Sequence, residues 1–211
     1  DGTDWASVCS FTLASQTASP SADWNAADCD GDGVTNGQEI TDGTDPTDGC
    51  SYTASNISLN QSSAWRALDC DQDGVTNGQE LTDGTDPKDT CNYIDANQVI
   101  VNVGATWNAA DCDADGVNNG QEVIDNTGTS SPCDFITENI TGSVSATLDC
   151  DGDSVPNAQE LIDGTDPKSS CDYLIANFNV ASVTATWDAL DCDGDGVING
   201  TEKGSTDYHD D

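Results

Sequence analysis

Carboxylate side chains recur at a fixed spacing between Asp28 and Glu39. Counted from Asp28, positions 1, 3 and 5 are Asp, position 6 is Gly, position 9 is Asn and position 12 is Glu. A hard cation takes six to eight oxygen ligands, and alternate carboxylates converge on one point where the backbone winds round the ion. Gly permits the sharp turn, and the Glu can close the site with both oxygens. This ligand order is that of an EF-hand-type calcium loop, in which the carbonyl of position 7 is also a ligand.

Five copies of this twelve-residue loop occur in register along the chain. Solvated acidic charge is the plainer explanation of Asp-rich runs, but it does not require Gly at position 6 and Glu at position 12. We therefore predict five calcium sites on which the fold depends. The predicted ligands are Asp28, Asp30, Asp32, Val34, Asn36 and Glu39; Asp69, Asp71, Asp73, Val75, Asn77 and Glu80; Asp111, Asp113, Asp115, Val117, Asn119 and Glu122; Asp149, Asp151, Asp153, Val155, Asn157 and Glu160; and Asp191, Asp193, Asp195, Val197, Asn199 and Glu202.

The fourth loop departs most from the pattern. It has Ser154 at position 6, followed by Pro156 and Ala158, so its turn is made without glycine and we expect it to bind calcium most weakly. In the fifth loop, Asn199 also begins a glycosylation sequon, but a residue buried against a cation is a poor acceptor, so we predict a ligand role for it. Three other sequons supply candidate glycosylation sites at Asn56, Asn60 and Asn139.

A Thr-Asp-Gly-Thr-Asp-Pro tail follows the first loop at residues 41–46 and returns at 82–87 and, with one change, at 162–167. Its Gly and Pro break helices, so we expect no exiting helix of the EF-hand kind. Its Asp side chains either fold back to a second calcium or form Asx turns. The candidate ligands of a second calcium are Asp42, Asp45, Asp83, Asp86, Asp163 and Asp166. The third repeat keeps only Asp125 of the pair, so we expect a second ion to be weak or missing there.

The rest of the chain is poor in apolar residues and rich in cysteine. Its 211 residues include 40 acidic and 4 basic side chains, for a formal net charge of −36, which excludes a basic nucleic-acid-binding surface. Ten cysteines predict disulfides that, with calcium, replace a large hydrophobic core and indicate an oxidising, extracellular setting. No stretch approaches 18 apolar residues, so we expect no membrane insertion.

The cysteines divide the chain into five tandem repeats. From the cysteine inside each loop to the next cysteine is always 21 positions, whereas the variable segment, between the two cysteines of a repeat, spans 17 to 21 positions. The predicted boundaries are a partial repeat at 1–8 and repeats at 9–49, 50–90, 91–132, 133–170 and 171–211.

Each variable segment begins Cys-x-aromatic, and four of the five end in Trp-x-Ala-x-Asp-Cys. Apolar residues alternate from Val99 to Trp107 and from Val183 to Trp187, which predicts short β-hairpins whose ends meet. The fourth segment, 135–148, is shorter and lacks the Trp. We expect the aromatic side chains to fill small cores rather than to stack on sugars.

Two disulfide registers are open. Joining the two ends of each variable segment gives Cys9–Cys29, Cys50–Cys70, Cys91–Cys112, Cys133–Cys150 and Cys171–Cys192. The alternative register joins Cys29 to Cys50 and onward, which leaves Cys9 and Cys192 for a bond between chains.

The loop at 28–39, together with the tail at 41–46, resembles thrombospondin type 3 calcium-binding repeats, especially the bacterial versions found in tandem on large secreted surface proteins. The resemblance extends over nearly the whole chain, although the inserts between the loops are longer than in the animal repeats. It implies a calcium-wrapped rod with little regular secondary structure, used as a stalk or spacer in adhesins and matrix proteins.

The expected fold is a repeat protein of mostly irregular calcium-wrapped loops with short β-hairpins, in which five tandem disulfide-stapled repeats form an elongated rod. We expect an extracellular or cell-surface protein with covalent glycans, either a subunit or segment of a surface fibre or filament or the spacer stalk of a larger adhesin. Residues 1–4 match the tail that the fifth loop lacks, so the expected partners are copies arranged head to tail or flanking domains of a longer chain.

Two other functional classes fit the sequence less well. An enzyme has one catalytic site in a chain, whereas every acidic group here recurs and the only histidine, His209, has no motif around it. A dockerin-like calcium-dependent protein-binding module has similar loops, but it needs a helix after each loop and usually has two loops.

Overall fold

The structure, a computed structural model, describes residues 8–9 and 20–203. None of these residues lies in a β-strand, so the prediction of short β-hairpins is wrong. The α-helices are α1 (Ala22–Ala26), α2 (Asn36–Asp42), α3 (Asn77–Asp83), α4 (Ala105–Ala109), α5 (Asn119–Asp125), α6 (Asn157–Asp163), α7 (Ala185–Asp188) and α8 (Asn199–Glu202). Turns of 3₁₀ helix span Ala54–Asn56, Trp65–Ala67, Asp95–Asn97, Ile100–Asn102 and Thr137–Asn139.

A short helix leaves each of the first four acidic loops, so the expectation of no exiting helix is also wrong. We number the acidic loops 1 to 5, at residues 28–39, 69–80, 111–122, 149–160 and 191–202. In loop 1, Asn36 begins helix α2 and Glu39 lies in its first turn. Gly43 ends this helix rather than preventing it, because its φ of 78° forms a left-handed cap and Thr44 N then donates to Glu39 O at 3.0 Å.

The described variable segments do not fold into hairpins, because several of their backbone N–H groups donate to carbonyl oxygens of an acidic loop. Ser58 N and Leu59 N both donate to Gly33 O at 2.9 Å. Ser62 N donates to Gly31 O at 2.8 Å, so the segment of repeat 2 covers loop 1. Equivalent bonds join Val99 N to Gly74 O, Gly104 N to Gln72 O, Thr141 N and Gly142 N to Gly116 O, Ser145 N to Ala114 O, and Thr184 N to Gly152 O. A hairpin ladder would need these same donors.

The Trp of a variable segment lies in a short helical turn. Ser21 Oγ accepts from Trp24 N at 3.1 Å to start α1, and Thr184 Oγ1 accepts from Trp187 N at 3.3 Å to start α7. These caps explain why the alternating apolar residues before Trp187 do not form a strand. The side chains of Trp65, Trp107 and Trp187 are at most 1 % exposed.

The Trp-bearing turn lies against the helix that leaves the loop of the same repeat. A Cβ on Gly37 would come within 3.0 Å of Asn25, and one on Gly78 within 2.8 Å of Arg66 O, so position 10 of these loops has no room for a side chain. Repeat 4 has no helical turn at residues 140–148, directly before its loop, and Ala158 stands at this position. The missing Trp and the missing glycine of repeat 4 are therefore one structural change.

Disulfides join the two ends of the variable segments, as in the first of the two registers. The bridges are Cys9–Cys29, Cys50–Cys70, Cys133–Cys150 and Cys171–Cys192, and Cys91 and Cys112 are also disulfide-bonded. The second cysteine of each pair is position 2 of an acidic loop, between its first two Asp residues. The bridge therefore anchors the start of the loop.

The chain divides into two compact units, residues 1–107 and 108–211. In the first unit, Val34 of loop 1 packs with Tyr52 and Trp65, whose rings meet edge to face with centroids 5.8 Å apart. The matching cluster in the second unit consists of Val155, Tyr173 and Trp187. The aromatic side chains thus fill small cores next to the loops. In the part of the chain that the structure describes, no helix has the length and apolar character needed to cross a membrane.

Candidate metal centres

Three Asp side chains converge in every acidic loop. In each group, one carboxylate oxygen from each of the three lies within 4.8 Å of the others. The groups are Asp28, Asp30 and Asp32; Asp69, Asp71 and Asp73; Asp111, Asp113 and Asp115; Asp149, Asp151 and Asp153; and Asp191, Asp193 and Asp195. The third Asp is fully buried in loops 1 to 4, whereas the group of loop 5 is more exposed. Each group could hold a metal ion.

Backbone N–H groups of the loop hold these carboxylates in place. Asp28 accepts from Gly31 N at 2.7 Å and from Gly33 N at 3.0 Å. Asp32 Oδ1 accepts from Val34 N at 2.7 Å. Gly33 has a φ of 95°, a left-handed conformation that favours glycine, so the turn is built as the sequence predicts.

Loop 4 makes the same turn with Ser154, which has a φ of 81°. Its N–H donates to Asp149 Oδ2 at 3.0 Å, and its Oγ accepts from Asn179 N at 2.8 Å. The second bond ties the strained position to the next variable segment. The Asp cluster of loop 4 is retained, and the weaker binding expected of this loop stays a prediction.

A Glu faces the Asp cluster with oxygens that have no hydrogen-bond partner. Glu39 is fully buried, and both of its carboxylate oxygens are unpartnered, as are Asp30 Oδ2 and Asp32 Oδ2. The same unpartnered oxygens occur in Asp71, Asp73 and Glu80; Asp113, Asp115 and Glu122; and Asp151, Asp153 and Glu160. Burying charged oxygens without a partner is costly, so four loops share one arrangement that calls for a cation.

The raised pKa values of the loop carboxyl groups also call for a cation. Burial, together with the neighbouring Asp charges, raises the pKa of four glutamates to about 8: Glu39, Glu80, Glu122 and Glu160. Burial raises the pKa of Asp71 to about 7, and the adjacent Asp73 adds to the effect. A divalent cation at this point would favour the ionised carboxylates and reverse these shifts.

Asn at position 9 makes hydrogen bonds that join its loop to the neighbouring elements. Asn77 Oδ1 accepts from Cys70 N at 3.1 Å, and Asn77 Nδ2 donates to Trp65 O at 3.2 Å and to Cys70 Sγ at 3.1 Å. This amide joins the loop to the disulfide and to the Trp-bearing turn. The bond from the loop cysteine recurs in all five loops, at Asn36, Asn77, Asn119, Asn157 and Asn199, and the ligand role of these residues stays a prediction.

The tail Asp residues also have other partners. Asp42 accepts from Gln38 Nε2 at 2.8 Å and from Asn56 Nδ2 at 2.7 Å. Asp45 Oδ1 accepts from Thr47 N at 3.0 Å, which is the Asx-turn alternative. The corresponding bonds recur at Asp83, Asp86, Asp163 and Asp166. In the described ranges, none of these six belongs to a group that could hold a metal.

A side-chain clamp between the tail and the next variable segment escaped the sequence reasoning. In four repeats an Asp at the end of the exiting helix accepts from an Asn 14 residues later, at 2.6–2.7 Å. The pairs are Asp42–Asn56, Asp83–Asn97, Asp125–Asn139 and Asp163–Asn177. The constant spacing of 14 was the signal that could have revealed it.

Loop 5 is the most open of the five loops. Val197 at its position 7 is 38 % exposed, whereas the Val of the other loops is at most 1 % exposed. A Cβ added to Gly194 or Gly196 would meet nothing within 4 Å, whereas one on Gly33 would lie 2.8 Å from Leu59 O. Within the described residues, no variable segment covers this loop. The ligand role of the position 7 carbonyl stays a prediction in every loop.

Three segments of the chain match the family model described as bacterial TSP3 repeat, at residues 28–49, 69–90 and 149–170. Each match begins at the first Asp of a loop and ends just before a cysteine. Loops 3 and 5, which lie outside the matches, have the same Asp groups. No curated protein and no solved structure matches the chain.

Proposed function

We propose, from the premise that three of its segments are bacterial TSP3 repeats, that this chain is an extracellular calcium-binding structural repeat protein. The observation that carries the proposal is the set of buried, unpartnered Asp and Glu oxygens that recurs in four loops. All the donors are oxygens, which suits calcium better than the softer transition metals. Each loop then holds one ion through its three Asp residues, the carbonyl of position 7 and the Glu of position 12.

Calcium acts in this proposal as part of the fold. The apolar clusters contain only three buried side chains each, and five disulfides and five cations supply the remaining stability. The ion removes the repulsion between carboxylates that the chain brings together. The family of the matched segments consists of structural repeats rather than enzymes, which supports a structural role.

Calcium stoichiometry tests this proposal. Native mass spectrometry of the disulfide-intact chain should count five ions, and the Glu80→Gln variant should bind one fewer. The matched control is Glu138→Gln, since Glu138 is exposed and outside the loops, and it should keep all five. Equal calcium content in both variants, or no calcium in the unmodified chain, would overturn the assignment.

The extracellular setting is supported by five disulfides, which persist in oxidising compartments. We propose that the array is a subunit or segment of a surface fibre, with copies or flanking domains as its neighbours, and that a spacer stalk is the alternative. Negative-stain electron microscopy of the native material separates the two. Long uniform fibres that soften on chelation support the fibre, and single short particles support the spacer.

Glycosylation belongs to the same proposal, and the structure ranks its candidate sites. Asn60 is exposed, whereas Asn56 and Asn139 donate through Nδ2, the atom that would receive the glycan, to Asp42 and Asp125. Asn97 makes the same kind of bond without a sequon, so the clamp alone explains the Asn at this position. Peptide mapping of native material should find a glycan at Asn60 first.

A dockerin-like binding module is the second candidate, because the exiting helix that it requires is present after loops 1 to 4. Helices α5 and α6 also expose Ile124 and Ile162, at 76 % and 79 %. Such a module forms a calcium-dependent complex with one folded partner. Size-exclusion chromatography of the chain with surface proteins of its source, with and without chelator, would reveal that complex.

A further inference from the structure

Two of the four basic residues of the chain occupy one position of the repeat. Lys88 and Lys168 follow the Asp-Pro of the tail in repeats 2 and 4, where the tails of repeats 1 and 3 have Thr47 and Ser130. The chain has a formal net charge of −36, and a lysine nevertheless recurs at this position of the repeat, which indicates that its surroundings there are specific.

Both lysines reach back to the aromatic residue that begins their own variable segment. Lys88 Nζ donates to Tyr52 O at 2.9 Å and lies 4.5 Å from the centroid of the Tyr52 ring. Lys168 Nζ donates to Phe135 O at 2.6 Å and lies 4.3 Å from the centroid of the Phe135 ring. A hydrogen bond and a cation–π contact together fix each ammonium group.

The ammonium group of Lys88 lies next to loop 1, the acidic loop of the preceding repeat. Tyr52 packs on Val34 of loop 1, and Val34 N donates to Asp32 Oδ1. The ammonium group of Lys88 therefore lies on the face of a ring that packs on loop 1.

The same relation holds in the second unit. Phe135 begins the segment whose Thr141 N and Gly142 N donate to Gly116 O of loop 3. Repeat 3, whose segment covers loop 2, has Ser130 at the position of the lysine.

We propose that Lys88 and Lys168 are specificity-determining residues that lower the calcium affinity of loops 1 and 3, so that the array contains two electrostatic classes of cation site. The inference rests on the proposed function. An ammonium beside a loop stabilises the carboxylates when the cation is absent and repels the cation when it is bound, and both effects weaken binding. Because both lysines are exposed, solvent and salt screen the interaction, and the effect should be about threefold to tenfold in affinity.

A calcium titration of the ¹⁵N-labelled full chain followed by NMR tests this proposal loop by loop. Gly33 N and Gly74 N each donate to the first Asp of their loop at 3.0 Å, so their amide signals report loops 1 and 2. Lys88→Met keeps the apolar stem over the ring and removes the charge. The midpoint at Gly33 should move to a calcium concentration about three to ten times lower, while that at Gly74 stays unchanged.

Two controls separate charge from packing. Lys88→Arg keeps the charge and should leave the Gly33 midpoint where it is. Raising the ionic strength should shrink the effect of Lys88→Met, which a packing effect would not do. Lys168→Met should act on loop 3 in the same way, with the Gly116 amide as reporter.

Three results would overturn the inference. They are an unchanged or higher Gly33 midpoint in Lys88→Met, an equal shift at Gly33 and Gly74, and an equal effect of Lys88→Arg. If no loop amide of the unmodified chain responds to calcium, the proposed function itself fails. That outcome is distinguishable, because the other three require binding to be present.

Discussion

Glu80 and its equivalents should make the metal-free chain more stable in acid than in mild base. The pKa of Glu80 is about 8 in the folded chain against 4.5 without its environment, so from about pH 4.5 to pH 8 the folded state holds more protons. Stability therefore falls as the pH rises through this window. Thermal unfolding in chelator should give a higher midpoint at pH 5 than at pH 8. With saturating calcium the order should reverse, because protons and calcium compete for the same oxygens.

General repulsion among acidic residues also lowers stability as the pH rises. A variant must therefore separate this repulsion from the effect of the raised pKa of Glu80. Glu80→Gln removes one raised pKa and should flatten the pH dependence in chelator. Glu138→Gln removes the same charge from an exposed site and should keep that dependence. A chelated chain that is more stable at pH 8 than at pH 5 would contradict the buried, unpartnered state of the glutamates.

The role of Asn at position 9 can be decided by one substitution. If Asn77 were a ligand, Asn77→Asp would preserve or strengthen calcium binding. In the structure its Nδ2 donates to Trp65 O and Cys70 Sγ, so a carboxylate there would be buried against a carbonyl oxygen. We expect a loss of about 3 kcal/mol in the free energy of unfolding, measured by denaturant titration in calcium. Asn102→Asp, which adds the same charge at an exposed site, should cost little.

The EF-hand ligand order predicts a ligand role for this Asn, but that order takes no account of position 2. In this chain position 2 is a cysteine, whose N–H and sulfur need partners inside the loop. Asn77 supplies both, as its bonds to Cys70 N and Cys70 Sγ show. The three Asp side chains of each loop converge, because their alternate spacing determines where their carboxylates point, and the Glu oxygens of four loops are buried without a partner.

At the scale of elements, the contact between a loop and the next variable segment depends on paired side-chain sizes. Position 4 of every loop has a positive φ. In loop 1 it is Gly31, where a Cβ would lie 2.6 Å from Ser62 Cβ. In loop 2 it is Gln72, and the facing residue is Gly104, where a Cβ would lie 2.6 Å from Gln72 Cβ. In each of these two pairs one member is glycine, which leaves room for the side chain of the other.

This pairing predicts a compensating double substitution. Gly104→Ala should cost about 1–3 kcal/mol in the free energy of unfolding because the added methyl overlaps Gln72. Adding Gln72→Gly removes the overlap and the strain of a non-glycine residue at φ 64°, which is worth about 1 kcal/mol. A double-mutant cycle by denaturant unfolding in calcium should therefore show coupling of at least 1 kcal/mol. Simple additivity of the two changes would show that the elements do not meet as described.

The elements themselves were harder to predict than the loops. Apolar alternation from Val99 to Trp107 suggested a strand, but 3₁₀ turns and α4 form there, and Val101 is 90 % exposed. Alternation indicates a strand only when a partner strand accepts its hydrogen bonds, and here Val99 N donates to Gly74 O of a loop. Such a partner lies 25 residues away in sequence, and no local pattern identifies it.

At the scale of the whole molecule, the net charge and the restriction of contacts to neighbouring segments determine the response to calcium. Five calcium ions add ten positive charges to the formal net charge of −36, so the loaded chain remains acidic at about −26. Loop 1 contacts its own variable segment and the one that follows, as its bonds to Trp24 O and Ser62 N show. In arrays of this kind, the stability is approximately the sum of the stability of each repeat and of its contacts with the neighbouring repeats.

Local stability predicts that losing one ion opens one part of the array. Hydrogen exchange of the full-length Glu80→Gln chain in calcium should speed up across residues 65–104, which include loop 2, the Trp65 turn and the segment bonded to Gly74 and Gln72. At a calcium concentration 100 times the Kd, the lost ion removes about 2.7 kcal/mol, or about a hundredfold in protection. Residues 149–190, around loop 4, should exchange as in the Glu138→Gln control. If they open to the same extent, the repeats unfold as one cooperative body and calcium acts on the whole chain at once.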